Sequence, residues 1–313
     1  MGQVLSLSLL SQLYPIHASH FTVNDIPDLT GRVVLVTGGS AGIGKETVAA
    51  LLAHNATVYL AARSPAKAHA AIRELKERTG REAVFLELDL ADLASVKRAA
   101  EEFLEKEKEL HVLFNNAGVM FPPHNQLTKD GFDLQWGTNV VGHYALTKGL
   151  LPALLAAAQS SPDGKARVVT TSSMAAYLNT IHWDTFRARP GRDKLTRYAL
   201  YEQSKHANVV FARELGRRYG HQGIVSMSVN PGNIVSELQR HMNPVLRWIA
   251  HRFIYPTPYG ALNQLWAGTS PETADFNGKF IIPWTRAGEC RRETNDPEIG
   301  RRLWAQLEED THV

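Results

Sequence analysis

Short apolar stretches alternate with amphipathic segments along most of the chain, and this alternation predicts strands and helices in turn. Residues 33–36, VVLV, are apolar throughout and mostly β-branched, as expected of a strand buried on both faces. Residues 45–54 follow with apolar side chains at helical spacing. The same order recurs from Gly31 onward, which favours an α/β fold: a doubly wound parallel sheet flanked by helices on both faces.

The pattern is continuous from residue 31 to residue 313, so we predict a single domain that follows an N-terminal arm of residues 1–30. The predicted strands lie at residues 33–36, 57–62, 83–90, 111–115, 167–172, 224–229 and 279–282. The predicted helices lie at residues 45–54, 66–79, 93–108, 131–158 and 197–219, with Asp92 as N-cap of the third and a break at Pro152 in the fourth. Residues 174–196 form an irregular, basic connection, and residues 236–268 form a helical region that contains Trp and Pro.

Composition and charge exclude several classes of function. The net charge is +3 over 313 residues and no block of Lys or Arg stands out, so we expect no nucleic-acid partner. The single cysteine, Cys290, excludes an internal disulfide framework and fits a reducing compartment. His17 and His20 stand three residues apart, but no Cys/His cluster has the spacing of a metal site, so we expect no metal.

The N-terminus bears on membrane association. No run of about 18 apolar residues predicts a transmembrane helix, and a secretory signal is not indicated. We therefore expect a cytoplasmic protein. The chain begins MGQVLS, which fits the N-myristoylation pattern at Gly2. Two interpretations stay open: an acylated arm that gives weak, reversible membrane association, or an arm packed on the domain.

The first strand leads into a glycine-rich turn, TGGSAGIG, that runs from Thr37 to Gly44. Glycine permits positive φ and lets a ligand approach the backbone closely. The helix that follows presents free N–H groups and the positive end of its dipole, which suit a diphosphate. Glycine-rich turns also serve purely structural purposes, so this turn alone does not decide between a nucleotide site and an ordinary turn.

Tyr201 and Lys205 stand four residues apart on a predicted helix and share one face. A nearby ammonium favours a phenolate, so we expect Lys205 to lower the pKa of Tyr201 and make the phenol usable as an acid or base near neutral pH. Tyr198 has Glu202 at the same spacing, which cannot do this.

Other polar residues follow predicted strands, at the sheet edge where open α/β folds bind ligands. Ser173 follows the fifth strand, where its hydroxyl could donate to a substrate carbonyl oxygen or only form a turn. Asp89, at the end of the third strand, could accept from an adenine amino group or only turn the chain. Asn139 is a poor mid-helix residue, which predicts a kink or a bound water, or else a surface position. Residues 115–118, NNAG, offer small residues and amides where a cofactor could lie close.

Together these features resemble the short-chain dehydrogenase/reductase family. The order TGxxxGIG, Asp, NNAG, Asn, Ser, YxxxK and NPG is complete between about residues 30 and 240. Ser173 and Tyr201 are 28 residues apart, more than in the simpler members, and KET follows GIG. Both features are similar to the retinol-dehydrogenase-like branch. The resemblance implies a Rossmann-like fold and a nicotinamide cofactor.

The resemblance also implies a catalytic tetrad. Tyr201 would be the proton donor or acceptor, and Ser173 would hold the substrate oxygen. Lys205 would bond the nicotinamide ribose and lower the pKa of the tyrosine. Asn139 would position a water that links Lys205 to solvent.

The implied cofactor site extends along the whole sheet edge. Near the carboxamide, residues 231–236 match the family segment P-G-x-V-x-T, with Ile and Ser in place of Val and Thr. The predicted cofactor-binding residues are Thr37, Gly38, Ser40, Gly42, Ile43, Gly44, Arg63, Asp89, Leu90, Asn115, Asn116, Ala117, Gly118, Asn139, Tyr201, Lys205, Pro231, Gly232, Ile234 and Ser236.

The end of the second strand bears on the choice of cofactor. NAD-preferring members usually carry an acid there, which bonds the ribose 2′-hydroxyl. Here Ala62 takes that place and Arg63 follows, so nothing repels a 2′-phosphate and Arg63 could pair with one. We therefore predict NADP(H), the alternative being that Arg63 is a solvated surface cation.

The substrate is less well defined. The insert before Tyr201 contains Trp183 and Phe186, which could wall the substrate site or belong to a surface loop. Apolar residues in 236–268 suggest a hydrophobic alcohol, ketone or aldehyde, although core packing explains them equally well. Two functions stay open: an oxidoreductase with Tyr201 as general acid/base, or a non-catalytic NADP(H)-binding regulator or scaffold. The resemblance also implies a homodimer, since family members pair their long helices, but the insert lies beside one of these helices and leaves the oligomeric state open.

Overall fold

The computed structural model describes residue 12, residues 18–234 and residues 255–312. Gly2, His17, Ser236 and the apolar residues between 238 and 253 lie outside this part of the chain. The acylation site and much of the predicted substrate region therefore stay predictions.

In the described ranges, eight strands form one sheet. They are β1 (Val33–Thr37), β2 (Thr57–Ala62), β3 (Val84–Glu87), β4 (Val112–Asn115), β5 (Ala166–Thr171), β6 (Ile224–Val229), β7 (Phe280–Ile282) and β8 (Arg286–Gly288). Their order is β3-β2-β1-β4-β5-β6-β7-β8, and β8 pairs antiparallel to β7 while the other pairs are parallel. The sequence pattern missed β8, because three residues with one apolar side chain show no alternation.

Helices cover both faces of the sheet. They are α1 (Gly42–Ala53), α2 (Pro65–Thr79), α3 (Leu93–Lys106), α4 (Leu134–Gly149), α5 (Leu151–Ser160), α6 (Pro190–Asp193), α7 (Arg197–Tyr219), α8 (Thr257–Thr269) and α9 (Pro297–Thr311). Within the residues described, no single helix is long and apolar enough to cross a membrane. The helices α4 and α5 have sufficient length and apolar character only when taken as a pair, and the chain bends by 56° between them. The predicted Rossmann-like α/β fold with a doubly wound sheet is confirmed.

Capping residues explain where several helices begin. Asp92 is the N-cap of α3, as predicted, with Oδ1 accepting from Ala94 N at 3.1 Å. The fourth predicted helix begins three residues later than expected, because Asp133 caps α4 and accepts from the backbone N–H of Gln135 at 3.0 Å. It breaks at Leu150, where the predicted Pro152 lies in the first turn of α5.

The strands β1 and β4 are neighbours in the interior of the sheet and are buried on both faces. Leu35 packs into one hydrophobic cluster, while Val34 and Val36 pack into the cluster on the opposite face. Phe21 and Leu29 of the N-terminal arm join the second cluster. The chain reverses its direction of winding between β1 and β4, and a crevice at their carboxyl ends is the usual ligand site of such sheets.

Part of the insert between Ser173 and Tyr201 packs into the hydrophobic core. The Phe186 ring is buried and stacks on Trp136 of α4, with ring centroids 3.8 Å apart and planes inclined by 4°. Trp183 packs against the same cluster and lies under the Arg302 guanidinium, 4.0 Å from its ring centroid. Arg192 forms a buried ion pair with Asp133 at 2.8 Å. The surface-loop interpretation is therefore wrong for Trp183 and Phe186, whose rings pack against α9 and α4.

Candidate active site

The glycine-rich turn adopts a conformation that only glycine takes readily. Gly38 and Gly42 have φ of +68° and +53°. A Cβ atom at Gly44 would lie 2.6 Å from Asn116 Nδ2, so α1 begins as close to the end of β4 as a glycine allows. Ala41, which precedes α1, offers no side-chain cap to the first N–H groups of the helix. This uncapped start fits the diphosphate of a dinucleotide.

Thr37 ties the ends of β1 and β4 together. Its Oγ1 accepts from the backbone N–H groups of Asn116 and Ala117, both at 2.9 Å. The Asn116 side chain donates back to Thr37 O at 2.8 Å. These bonds hold both turns at one edge of the sheet.

His143, which sequence reasoning missed, connects this edge to Asn139. Its Nδ1 lies 3.1 Å from the Asn139 carbonyl oxygen and its Nε2 lies 3.0 Å from Thr37 Oγ1. Burial lowers the pKa of His143 to about 4, so the ring is neutral at pH 7. Since a carbonyl can only accept, Nδ1 carries the proton and Nε2 accepts from Thr37. The sequence signal that could have identified His143 is its spacing of four residues from Asn139 on the same predicted helix.

Asn139 lies in a π-helical stretch of α4, Gly137–Val141, and is fully buried. The predicted irregularity is confirmed, and the surface interpretation is wrong. Its Oδ1 accepts from Val119 N at 2.9 Å, and its Nδ2 donates to Val119 O at 3.1 Å and to Ser204 Oγ at 3.0 Å. The side chain therefore joins the segment after β4 to helix α7.

Tyr201 and Lys205 lie on the face of α7 that packs toward the end of β5, and both are buried. The Lys205 ammonium donates to Thr171 O at 3.0 Å and lies 5.7 Å from the centroid of the Tyr201 ring. Ser173 follows β5 by two residues; its Oγ accepts from Ala175 N at 3.1 Å, and its hydroxyl lies near enough to Tyr201 to favour the phenolate and oppose a rise in the tyrosine pKa. Phenol, ammonium and hydroxyl thus meet at one point of the sheet edge.

The electrostatics of this group differ from the prediction. Burial raises the pKa of Tyr201 to about 12, and the hydrogen bond with Ser173 opposes that shift. Burial also lowers the pKa of Lys205 to about 8. The expected lowering of the tyrosine pKa is wrong here, because loss of solvent disfavours the charged form of each group. At neutral pH the phenol is protonated and the lysine is mostly charged.

Gly118 lies close against these groups. A Cβ atom at Gly118 would lie 3.1 Å from Asn139 Oδ1 and 3.5 Å from Lys205 Nζ. Glycine therefore lets the backbone after β4 approach the Lys205 ammonium closely. The uncapped start of α1, at the same edge of the sheet, fits the diphosphate of a nicotinamide dinucleotide.

Three predicted cofactor residues are arranged differently from the others. The Asn115 side chain is buried and donates to Thr147 Oγ1 at 3.0 Å, and Leu90 is buried in the core. Asp89 does not end the third strand, which stops at residue 87; its Oδ1 accepts from Ala91 N at 3.0 Å in a turn. The first two side chains point into the protein, so any contact with a cofactor would come from their backbone.

The segment after β6, which includes Pro231, lies over the same edge. Gly232 has φ of +82°, and a Cβ atom there would lie 2.9 Å from the ring of Trp284. Ile234 is buried, and a Cβ atom at Gly260 of α8 would lie 2.8 Å from Ile234 and 2.9 Å from Ile43. This close packing brings the segment against the glycine-rich turn, where Ser40 is half-buried.

Arg63 follows β2 and is exposed. In the part of the chain that the structure covers, no carboxylate lies within ion-pair distance of it. Ala62 pairs in register with Glu87 of β3, an exposed acid that sequence reasoning did not consider. A cation and an anion thus stand at neighbouring strand ends.

Phe121 was also missed by sequence reasoning, and Tyr198 was considered there only as an acid or base. The centroid of the Phe121 ring lies 5.1 Å from that of Tyr201 and 4.6 Å from that of Tyr198. The position of Phe121 depends on a positive φ, which no sequence pattern indicates.

Comparisons with known proteins identify the family of this chain. The family model described as short chain dehydrogenase matches residues 32–188. A short-chain dehydrogenase/reductase of Armillaria gallica is 60% identical over 301 residues, which cover 96% of each chain. Human retinol dehydrogenase 11 is 38% identical, with 88% of this chain and 84% of that protein covered.

A solved structure, described as the Pseudomonas aeruginosa RhlG/NADP active-site complex, superposes with a TM-score of 0.65 at 26% identity. The match covers 82% of this chain and 96% of that one. The chain therefore belongs to the short-chain dehydrogenase/reductase family of nicotinamide-dependent oxidoreductases, and retinol dehydrogenase 11 is among its relatives.

Proposed function

We propose that the protein interconverts a hydrophobic alcohol and the corresponding ketone or aldehyde with NADP(H), and that Tyr201 is the general acid/base. The observation that carries this proposal is that the Tyr201 phenol, the Lys205 ammonium and the Ser173 hydroxyl lie together beside Gly118.

Each side chain has a role that follows from its contacts. A nicotinamide held along the sheet edge would supply or accept the hydride at the substrate carbon. Ser173 donates a hydrogen bond to the substrate oxygen, and Tyr201, protonated at neutral pH, gives that oxygen its proton during reduction. The Lys205 ammonium lies close enough to stabilise the phenolate that remains. Asn139 keeps Val119, and with it the chain beyond Gly118, in place.

Two observations support NADP(H) over NAD(H). Arg63 is exposed at the end of β2 and, among the residues described, has no carboxylate within 4 Å that would occupy its guanidinium. A 2′-phosphate would provide that partner. The RhlG structure is a complex with NADP, which is the same choice of cofactor.

The hydrophobic character of the substrate rests on the rings beside Tyr201. Phe121 is half-buried and Tyr198 is 38% exposed, so both offer apolar surface at the site. The name of retinol dehydrogenase 11 indicates that this relative acts on a hydrophobic alcohol. A non-catalytic role is not favoured, because the tyrosine and lysine are both present and lie beside each other.

The experiment is a set of apolar aldehydes and ketones assayed by NADPH absorbance, with NADH alongside and with the variant Tyr201→Phe. We expect turnover with NADPH, and a loss of about a hundredfold or more in the variant while its NADPH dissociation constant is unchanged. A wild-type protein that binds NADPH but turns over no substrate in either direction would favour the regulator. Full activity of Tyr201→Phe would remove Tyr201 from the mechanism.

A further inference from the structure

Phe121 has a backbone conformation that aromatic residues rarely adopt. Its φ is +56°, in the left-handed region. Such a conformation persists where the surroundings hold it, and it occurs often at ligand sites. Here the backbone N–H of Phe121 donates to Gln135 Oε1 at 2.9 Å.

The same Gln135 side chain also fixes the start of α7. Its amide Nε2 donates to the Arg197 carbonyl oxygen at 2.8 Å, and the side chain is buried. One amide group thus sets the position of Phe121 relative to the turn that carries Tyr198. The Arg197 guanidinium lies 5.3 Å from the Tyr198 ring centroid and packs over that ring.

The two rings form a corner next to the buried phenol. Phe121 is inclined by 60° to Tyr198 and by 71° to Tyr201. Tyr201 itself is 6% exposed, whereas Tyr198 is 38% exposed and Phe121 is half-buried. The corner therefore keeps apolar ring surface uncovered at the edge of the catalytic group.

We propose that Phe121 and Tyr198 are specificity-determining residues that select substrates with a planar unsaturated ring attached to the reacting carbon. The inference rests on the proposed function, since it places the reacting carbon beside Tyr201. Two aromatic rings set at an angle contact a third flat ring by face and by edge, and such pairs gain more than their buried area alone provides. A saturated ring of the same size has neither the flat face nor the quadrupole.

The test compares benzaldehyde with cyclohexanecarbaldehyde, which share a carbon skeleton but differ in planarity. The quantity measured is the ratio of kcat/KM for the two aldehydes with NADPH, in wild type, Phe121→Leu and Tyr198→Leu. Each variant keeps apolar volume and loses a ring, and intrinsic reactivity cancels between variants. Phe85→Leu is the matched control, because Phe85, on distant strand β3, is also half-buried and contacts the ring of His69.

We expect each variant to lower the benzaldehyde preference about two- to tenfold, mainly through KM, while Phe85→Leu leaves it unchanged. Tyr198→Phe should keep the wild-type ratio, because it retains the ring. A second measurement needs no turnover. The dissociation constants of benzyl alcohol and cyclohexylmethanol from the enzyme–NADPH complex are followed by NADPH fluorescence, and their ratio measures the preference for the planar ring in binding.

An unchanged ratio in both Leu variants would overturn the inference while leaving the proposed function intact. If wild type binds NADPH but turns over neither aldehyde, the binding ratio decides: equal affinities for the two alcohols overturn the inference as well. Failure of NADPH to bind would instead overturn the proposed function and the inference with it.

Discussion

On the cofactor side of the sheet edge, between β1 and β4, main-chain groups and glycines set the geometry, whereas on the substrate side long side chains do. The Thr37 hydroxyl and the backbone N–H groups of Asn116 and Ala117 hold the cofactor side. On the substrate side, Gln135 bridges Phe121 and Arg197, residues far apart in the sequence.

Because of this difference, the two sides tolerate different substitutions. A turn built from main-chain bonds and glycines leaves no room for added atoms, so it fixes one ligand shape. A wall built from side chains can change its shape when those side chains change, without disturbing the sheet. We therefore expect substitutions on the cofactor side to act on cofactor affinity, and those on the substrate side to act on stability or substrate preference.

The largest expected effect is on the stability of the substrate side. Phe186→Ala removes a buried ring stacked on Trp136 and should lower the free energy of unfolding by about 3–5 kcal/mol. Urea denaturation followed by circular dichroism measures this loss. Tyr198→Leu, an exposed ring on the same side, should cost less than about 1 kcal/mol. Equal losses would show that the insert does not support the core as described.

The same difference explains how far the sequence could be interpreted. The turn from Thr37 to Gly44 was predictable, because each glycine answers a local requirement of the backbone. The position of Phe121 depends on Gln135, fourteen positions further along, and the stacking of Phe186 on Trp136 joins residues still further apart. Such contacts exist only once the chain is folded, so no local pattern indicates them. The pKa of Tyr201 was misjudged for a related reason: burial is a property of the fold.

The second prediction concerns His143, which joins the two sides. Its pKa is about 4 in the folded state and 6.5 ordinarily, so the folded state binds fewer protons between those values. The neutral His143 ring contributes its full share to the free energy of unfolding above pH 6.5, and this share is lost as the pH falls through 4. Between pH 7 and pH 4 this loss is about 3 kcal/mol, and His143→Asn should remove it from the pH dependence of urea unfolding. The idea is wrong if the variant shows the wild-type difference between the two pH values.

The third prediction tests how closely the atoms on the cofactor side are packed. Gly44→Ala places a Cβ atom 2.6 Å from Asn116 Nδ2 and should weaken NADPH binding about a hundredfold, or by about 2.7 kcal/mol. Fluorescence titration with NADPH measures the dissociation constant. Gly118→Ala, whose Cβ would meet Asn139 Oδ1 at 3.1 Å, should have a smaller effect in the same direction.

The matched control is Gly300→Ala, a helical glycine of α9 whose Cβ would meet side-chain ends of Glu214 and Arg217. It should leave NADPH affinity unchanged. If it weakened NADPH binding as much as Gly44→Ala, the effect would come from general loss of stability rather than from the cofactor side.

The smallest expected effect is on the choice between cofactors. Arg63→Asp should shift the NADPH/NADH preference about tenfold toward NADH, because a charge-assisted hydrogen bond to the 2′-phosphate is replaced by repulsion. Steady-state kinetics with both cofactors measure the ratio. Arg73→Asp changes the net charge equally but lies further along α2, and it should leave the ratio unchanged. If Arg63→Asp has no effect, Arg63 is a solvated cation and does not bind the phosphate.

The central claim is that hydride moves between a nicotinamide and a substrate carbon beside Tyr201. The most direct measurement is mass spectrometry of the alcohol formed from an apolar aldehyde with NADPH deuterated at C4, using each of the two stereoisomers in turn. The account predicts one deuterium on carbon from one stereoisomer and none from the other. An alcohol that carries no deuterium from either cofactor would contradict it.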